Sequence, residues 1–252
     1  MLAIERRREI LSRLNTDGKV IVAELAREFE VTEETIRRDL DRLDKEGLAA
    51  KTYGGAVTKK NAALDLPYNV REVANVDEKK IIAERVSELI SDGDRVMLDS
   101  SSTALYILKK LKDKKNLTII TNSVKILLEL ADKDDWTVLS TGGILKNGAM
   151  SLNGSSAEKM IGSYYVDAAI CSCKGLDTEL GVTDSNEKDT LIKKAMFASA
   201  ERKILALDSE KFDKKAFVKV CAASEIDVIV TDKEPGEKWI RFCDEADVDL
   251  IY

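Results

Sequence analysis

Beyond residue 90, three apolar runs each end in a cluster of small polar residues, and these clusters are the part of the chain best suited to chemistry. Asp99-Ser100-Ser101-Ser102-Thr103 follows Val96-Met97-Leu98, Thr121-Asn122-Ser123 follows Ile119-Ile120, and Thr141-Gly142-Gly143 follows Val138-Leu139-Ser140. Hydroxyls and backbone N–H groups gathered where a helix begins favour an anion, because the unpaired amides and the helix dipole both present positive charge there. Glycines let the backbone approach a bound molecule closely. Each tripeptide alone reads as an ordinary cap or turn. Their recurrence after successive strands points to one converging site for a polyhydroxylated, phosphorylated ligand. The chain has no histidine, which removes the commonest general base. Its cysteines, Cys171, Cys173, Cys221 and Cys243, lack paired zinc-ligand spacing. The expectation is therefore no metal, no cofactor and no catalytic group. Cys171 and Cys173 alternate in the run AAICSC and are expected to face one side of a sheet as small buried residues.

A second set of chemistry-bearing residues lies in the segment VIVAELAREFEVTEETIRRDLDRLDKEGLAAKTYGGAV, residues 20–57. Ala23, Leu25, Ala26 and Phe29 are spaced to bury one side of a helix, and Ile36, Leu40 and Leu43 repeat at helical spacing on the next, over Thr32 to Glu46. Thr32 is the expected N-cap, with Glu33 and Glu34 in the first turn. The free face of this helix presents Thr35, Arg38 and Arg42, with Arg37 on its flank. Short hydroxyls and guanidinium groups are what base edges and phosphates require. The plainer reading gives the arginines solvated pairs with Glu33, Glu34 and Asp41. Helix, turn, helix and Gly-Gly hairpin stand in the order of a winged helix-turn-helix, with Arg6, Arg7, Arg8 and Arg13 on a preceding amphipathic helix expected to add positive charge toward phosphates.

These side chains need scaffolding, and the pattern supplies two kinds. After the winged segment (residues 1–57) and a weakly periodic linker (58–76), helices and strands alternate to the end of the chain (77–252). Strands are expected at Arg95–Asp99, Leu117–Thr121, Thr137–Ser140, Asp167–Cys173, Lys203–Asp208 and Asp227–Thr231. Helices are expected at Lys79–Ile90, Ala104–Leu111, Val124–Ala131 and from about Asp189 to Ala200. Alternation of this kind argues an α/β domain with a mostly parallel sheet, whose ligands bind outside the carboxyl ends of the strands. Residues 1–60 carry 13 Lys or Arg against 12 Asp or Glu, and residues 61–252 carry 27 against 34, so the acidic total of −6 belongs to the second part and does not argue against DNA binding by the first. No run of eighteen apolar residues occurs, so the chain is expected to be cytoplasmic, with no membrane partner.

The winged segment resembles the DNA-binding domain of the DeoR family of bacterial transcriptional repressors, whose helix, break and wing stand here as TIRRDL, EGL and YGGA. Where that family's wing usually carries an imidazole, this chain has Lys51-Thr52-Tyr53-Gly54-Gly55, so Lys51 keeps the charge and Tyr53 changes the contact chemistry. Residues 77–252 resemble the same family's sensor domain, related to the ribose-phosphate isomerase fold. The matching pieces are Asp99 to Thr103, Thr121-Asn122-Ser123, Thr141-Gly142-Gly143, Gly154, Lys174-Gly175-Leu176-Asp177, Gly181-Val182-Thr183, Lys193-Lys194-Ala195-Met196 and Asp208 to Phe212. The resemblance implies DNA contact through Thr32, Thr35, Arg37, Arg38, Arg42, Lys51, Tyr53, Gly54 and Gly55. It also implies a sugar-phosphate effector held by Asp99, Ser100, Ser101, Ser102, Thr103, Thr121, Asn122, Ser123, Gly142, Gly143, Lys174, Asp208 and Lys211. Ser101, Ser102 and Thr103 would hold phosphate, Thr121 and Asn122 would meet sugar hydroxyls, and Lys211 would lie near the anionic end or brace the pocket. Lys174 reads equally as a phosphate ligand or a solvent-facing charge. Between Asn186 and Lys193 the family often shows closely spaced glutamates, whereas this chain reads Glu187-Lys188-Asp189-Thr190-Leu191-Ile192, so sugar specificity does not transfer there. The implied protein is a repressor of a sugar-metabolism operon, working on operator DNA as a homodimer or homotetramer. The alternatives are a sugar-phosphate isomerase-like enzyme, in which Asp99 or Asp208 moves a proton, and a protein-docking module.

Overall fold

The computed structural model describes residues 2–46, 48–57 and 67–252. The chain forms two compact units.

The first unit runs through α1 (Ala3–Asp17), β1 (Lys19–Ile21), α2 (Val22–Glu28), α3 (Glu33–Lys45), β2 (Ala50–Thr52) and β3 (Gly55–Val57). Strand β3 lies between β1 and β2 and is antiparallel to both. Ile10 and Leu14 of α1, Leu25 of α2, and Ile36, Leu40 and Leu43 of α3 are buried together at helical spacing, which is what fixes the three helices against one another. Gly55 is demanded by packing: a Cβ there would lie 1.9 Å from the Val20 carbonyl oxygen.

Among the described residues of this unit, Asp39 carries a buried ion pair. Arg6 Nε donates to Asp39 Oδ2 at 2.6 Å, and Arg7 Nη1 donates to Asp39 Oδ1 at 3.3 Å, tying α1 to α3. This corrects the expectation for the first helix. Arg6 is only 6% exposed and faces Asp39, not solvent. Arg13 pairs with Glu9 and Glu28 and stacks over Phe29.

Of the expected linker, residues 58–66 lie outside the described residues. Its second half is not irregular throughout, since α4 (Tyr68–Val73) begins there and is followed directly by α5 (Val76–Glu88). Asn69–Val76 belong to the first unit. The second, which holds Tyr68 and α5 from Asp77 on, continues through β4 (Arg95–Leu98), α6 (Ser102–Leu111), β5 (Thr118–Thr121), α7 (Val124–Glu129), β6 (Thr137–Ser140), β7 (Ile144–Lys146), β8 (Ser151–Asn153), α8 (Ser155–Ile161) and β9 (Val166–Cys171). After these come β10 (Gly175–Asp177), β11 (Gly181–Asp184), α9 (Glu187–Ala198), β12 (Ala200–Ala206), β13 (Val218–Cys221), β14 (Val228–Val230), α10 (Glu237–Ala246) and β15 (Asp249–Ile251).

Seven strands pair in the order β15-β14-β12-β9-β4-β5-β6, and every pairing in that sheet is parallel. Both faces are covered, and the strands show it residue by residue. Val96 and Leu98 enter one core with Ile82, Val86, Leu105 and Leu108, while Met97 enters the other with Ile161, Met196 and Trp239. Ile204 and Ala206 are divided from Leu205 in the same way, because successive side chains of a strand point to opposite faces. Cys171 and Cys173 share the second core, on one side of the sheet as expected. Two smaller antiparallel pieces were not anticipated: the hairpin β7–β8, and a sheet ordered β10-β11-β13.

Removing one partner of a buried ion pair leaves the other charge uncompensated. Asp39→Ala is therefore expected to destabilise the N-terminal unit by roughly 3–5 kcal/mol in urea unfolding. Asp39→Ala combined with Arg6→Met should recover a large part of that loss.

Candidate nucleic-acid interface and ligand site

In the first unit, Thr32 caps α3, its hydroxyl accepting from Thr35 N at 3.2 Å, and the two threonine hydroxyls lie 2.9 Å apart. Arg37, Arg38 and Arg42 project from the exposed face in i,i+4 pairs with Glu33, Glu34 and Glu46. The plainer sequence reading thus describes their resting contacts, with Glu46 in place of Asp41. Asp41 pairs instead with Lys51 of β2. Such exposed pairs are worth about 0.3–0.5 kcal/mol each, too little to keep the guanidiniums from a phosphate or a base edge. Arg38 is the freest of the three, with 79% of its side chain exposed. At the wing tip Tyr53 is fully exposed and Gly54 turns the chain, while Gly55 is buried in the packing beneath. The structure thus presents Tyr53, Gly54 and Lys51 on the surface and keeps Gly55 inside.

In the second unit, the polar clusters stand at the carboxyl ends of neighbouring strands. Across the sheet the order is Asp208 after β12, Ser172 and Lys174 after β9, Asp99 to Thr103 after β4, Thr121 to Ser123 at β5, and Thr141 to Gly143 after β6. Their contacts divide them. Asp99 is buried and fully engaged: Oδ1 accepts from Ser101 N at 3.0 Å, and Oδ2 accepts from Ser172 N at 3.1 Å. Ser101 caps α6 and Ser123 caps α7, their hydroxyls accepting from Ala104 N and Ile126 N. Thr121 is buried, donates to Leu98 O at 2.7 Å and accepts from Ser123 N. Asp99, Thr121 and Ser123 therefore shape the site from within, the Thr121 hydroxyl bracing β4 to β5. Ser102 and Thr103 open the first turn of α6 with Ser100 just before it. Gly142 and Gly143 are exposed. Gly143 has φ +107 and lies against β8, where a Cβ would meet Asn153 O at 2.6 Å.

Lys174 is half-buried, and its backbone N–H donates to Thr183 O. Asp208 is buried, with Lys211 Nζ 3.9 Å from its Oδ2 and no hydrogen-bond partner for its Oδ1.

The residue that binds this edge together was not singled out from the sequence. Lys193 of α9 is buried, and its Nζ reaches Ser172 O at 2.5 Å, Asp184 Oδ2 at 2.5 Å and Asp99 Oδ2 at 3.3 Å. Burial alone would pull its ammonium pKa down. The carboxylates of Asp184 and Asp99 outweigh burial and hold it above its ordinary value. Asp184 is the converse case: burial pushes its carboxyl up, but Lys193 holds it below the usual carboxylate range. A signal was present, because Lys193 falls in register with the buried Thr190, Met196 and Phe197 of α9. A lysine on an apolar helix face calls for a buried carboxylate.

Comparison with known proteins joins the two sites. A model of the DeoR-like helix-turn-helix domain matches residues 6–62, and one of the DeoR C terminal sensor domain matches residues 74–233. The chain belongs to the DeoR family of transcriptional regulators. It is 40% identical to the HTH-type transcriptional regulator YulB of Bacillus subtilis over 92% of this chain and 90% of that one. It is 32% identical to a putative aga operon transcriptional repressor of Escherichia coli O157:H7, over 98% and 93%. It is 30% identical to the L-fucose operon activator of Haemophilus influenzae, over 95% and 96%. Among solved structures, a ribose 5-phosphate isomerase of Plasmodium falciparum is similar at TM-score 0.39 and 18% identity, covering 53% of this chain and 52% of that one, too loosely to carry an argument. Family membership makes the chain a transcription regulator, and the isomerase-like alternative falls. Among the described residues of this DeoR-family chain, no helix is long and apolar enough to cross a membrane.

The ionisable groups fix a pH profile. Asp184 is held low, so its contribution to stability is present above about pH 4 and is lost as pH falls further. Lys193 is held high, so its contribution persists until pH rises beyond about 10. Burial pushes Cys173 and Cys221 up to about 12 and Cys243 to about 11. Their share is complete below the unfolded thiol value of about 8.5 and declines above it. With no histidine in the chain, denaturant unfolding of this unit should give a stability plateau from about pH 5 to 8, with losses on both sides. A sharp change centred near pH 6.5 would contradict this assignment.

Proposed function

We propose that this regulator is a repressor of a sugar-metabolism operon. It binds operator DNA as a symmetric homodimer or homotetramer, with α3 in the major groove and the Tyr53-Gly54 wing along the backbone. A phosphorylated sugar bound at the carboxyl edge of the parallel sheet controls it, with its phosphate at the start of α6 and its hydroxyls toward Asn122 and Asp208. The observation that supports this most is the pairing, in one chain, of an exposed arginine face on α3 with a strand-end cluster that leaves buried acceptors of Asn122 and Asp208 unpaired. The relatives point the same way, since the names of two of them join transcription to the aga and L-fucose operons. One is named a repressor and the other an activator, at 32% and 30% identity, so the sign rests on the resemblance of the winged segment to the family's repressors. A DNA partner implies a cytoplasmic protein.

The ligand's influence has a physical route outward. The hairpin β7–β8 is tied to Asn122, and at its tip Gly148 O accepts from Tyr68 N at 2.8 Å, the second described residue after the segment leading from the winged unit. A ligand that moves the hairpin would bear on Tyr68. Coupling of the usual size, about 1–3 kcal/mol, changes operator affinity roughly 5- to 150-fold.

Paired variants test the division of labour. Arg38→Ala should lower operator affinity roughly tenfold or more in fluorescence anisotropy while leaving the response to sugar phosphate intact, the range for loss of one good base or phosphate contact. Ser102→Ala with Thr103→Ala should do the reverse. Equal loss of both activities in either variant would overturn the assignment.

A further inference from the structure

The site has a built-in polarity, and its origin lies outside the strand ends. Asp189 of α9 carries a carboxylate that is an acceptor only. Burial tends to raise its pKa, but hydrogen bonds from Asn186 and Lys146 hold it below the usual value. Asn153 of β8 meets that carboxylate with its amide nitrogen, Nδ2 donating to Asp189 Oδ1 at 2.8 Å. Its Oδ1 is then left to face Asn122, which answers with Nδ2 at 3.3 Å. The other Asn122 amide hydrogen goes to Leu152 O at 3.1 Å. Both hydrogens of Asn122 are thereby used, and its Oδ1 is buried without a partner.

A row of amides that starts from a carboxylate can run in one direction only, because each nitrogen must face the acceptor before it. We propose that Asp189 sets effector specificity: through Asn153, and in concert with Leu152 O, it holds the Asn122 amide so that the ligand meets an acceptor and must bring a hydroxyl hydrogen. The inference rests on the effector reading above and narrows it. The ligand must carry, one strand away from its phosphate at α6, a hydroxyl that donates, and a group that only accepts is rejected there. Asn122 is 1% exposed and is held by the β7–β8 hairpin through Leu152 and Asn153, so the hydroxyl must reach its Oδ1 with those two bonds in place. Lys146 Nζ, 2.9 Å from Asp189 Oδ2, steadies the carboxylate without altering the direction of the row.

Isothermal titration calorimetry on the full chain tests this with glucose 6-phosphate, fructose 6-phosphate and ribose 5-phosphate. Each is compared with analogues in which one hydroxyl at a time is replaced by fluorine, which cannot donate. For at least one sugar, fluorine at one position should raise Kd tenfold or more. Asp189→Asn should shrink that ratio at least threefold, because its amide can present either atom to Asn153. Asp189→Glu should restore the ratio, and Lys146→Met, which removes the ion pair but keeps the acceptor, should leave it intact. If Asp189→Asn does not fold, Asn153→Ala removes the row's acceptor from the Asn122 amide, leaving only Leu152 O to orient it, and should shrink the ratio in the same way. A ratio near one at every position, or a ratio that these substitutions leave unchanged, overturns the proposal while the effector site stands. Failure of all three sugar phosphates to bind the wild-type chain overturns the effector reading itself, and this inference with it.

Discussion

A buried ammonium between two carboxylates holds the carboxyl edge of the parallel sheet together. Strand ends are where backbone and side-chain polar groups lose their regular partners, and burying them unpaired is expensive. Lys193 meets that constraint at three strands at once, reaching Asp99 beyond β4, Ser172 O beyond β9 and Asp184 of β11. Asp99 in turn holds the N–H groups of Ser101 and Ser172. The loop that opens α6 is therefore shaped by the interior, and under the proposed function Ser102, Thr103 and the first amides of the helix stand placed in advance for an anion. Such preorganisation lowers the ordering cost of binding.

The winged unit solves a smaller version of the same problem. In the run Arg37-Arg38-Asp39 the two arginines and the aspartate have opposite fates. The guanidiniums stand on the exposed face of α3 in weak pairs, while Asp39 turns inward to Arg6 and Arg7 of α1. One motif thus supplies both the outward charge for DNA and the inward charge that fixes the helix bearing it.

Much of this was legible in the sequence, for reasons that can be named. The helices of the winged unit are long enough for Ile36, Leu40 and Leu43 to declare a buried face, and the strands of the large sheet end in conspicuous polar clusters. What escaped was short or distant. Strands β7, β8, β10 and β11 belong to small antiparallel pieces outside the alternation of helix and strand that marks the large sheet. The Arg6–Asp39 pair spans 33 positions and the Asp99–Lys193 pair 94, so no local spacing announces either. The interior contacts of Asp99, Thr121 and Gly55 escaped for the same reason: their partners Ser172, Leu98 and Val20 are brought to them only by the fold. The amide row from Asp189 to Asn122 joins α9, β8 and β5, and no reading of one segment contains it.

The account stands or falls on DNA binding that answers to a sugar phosphate. The most direct measurement is fluorescence anisotropy with DNA from upstream of the chain's own gene, across a salt series, with and without hexose and pentose phosphates. The account predicts specific binding whose affinity falls steeply with salt, as released counterions require, and a shift of roughly 5- to 150-fold with one sugar phosphate but not with inorganic phosphate. Binding without sequence preference, or an affinity that no sugar phosphate alters, would contradict it.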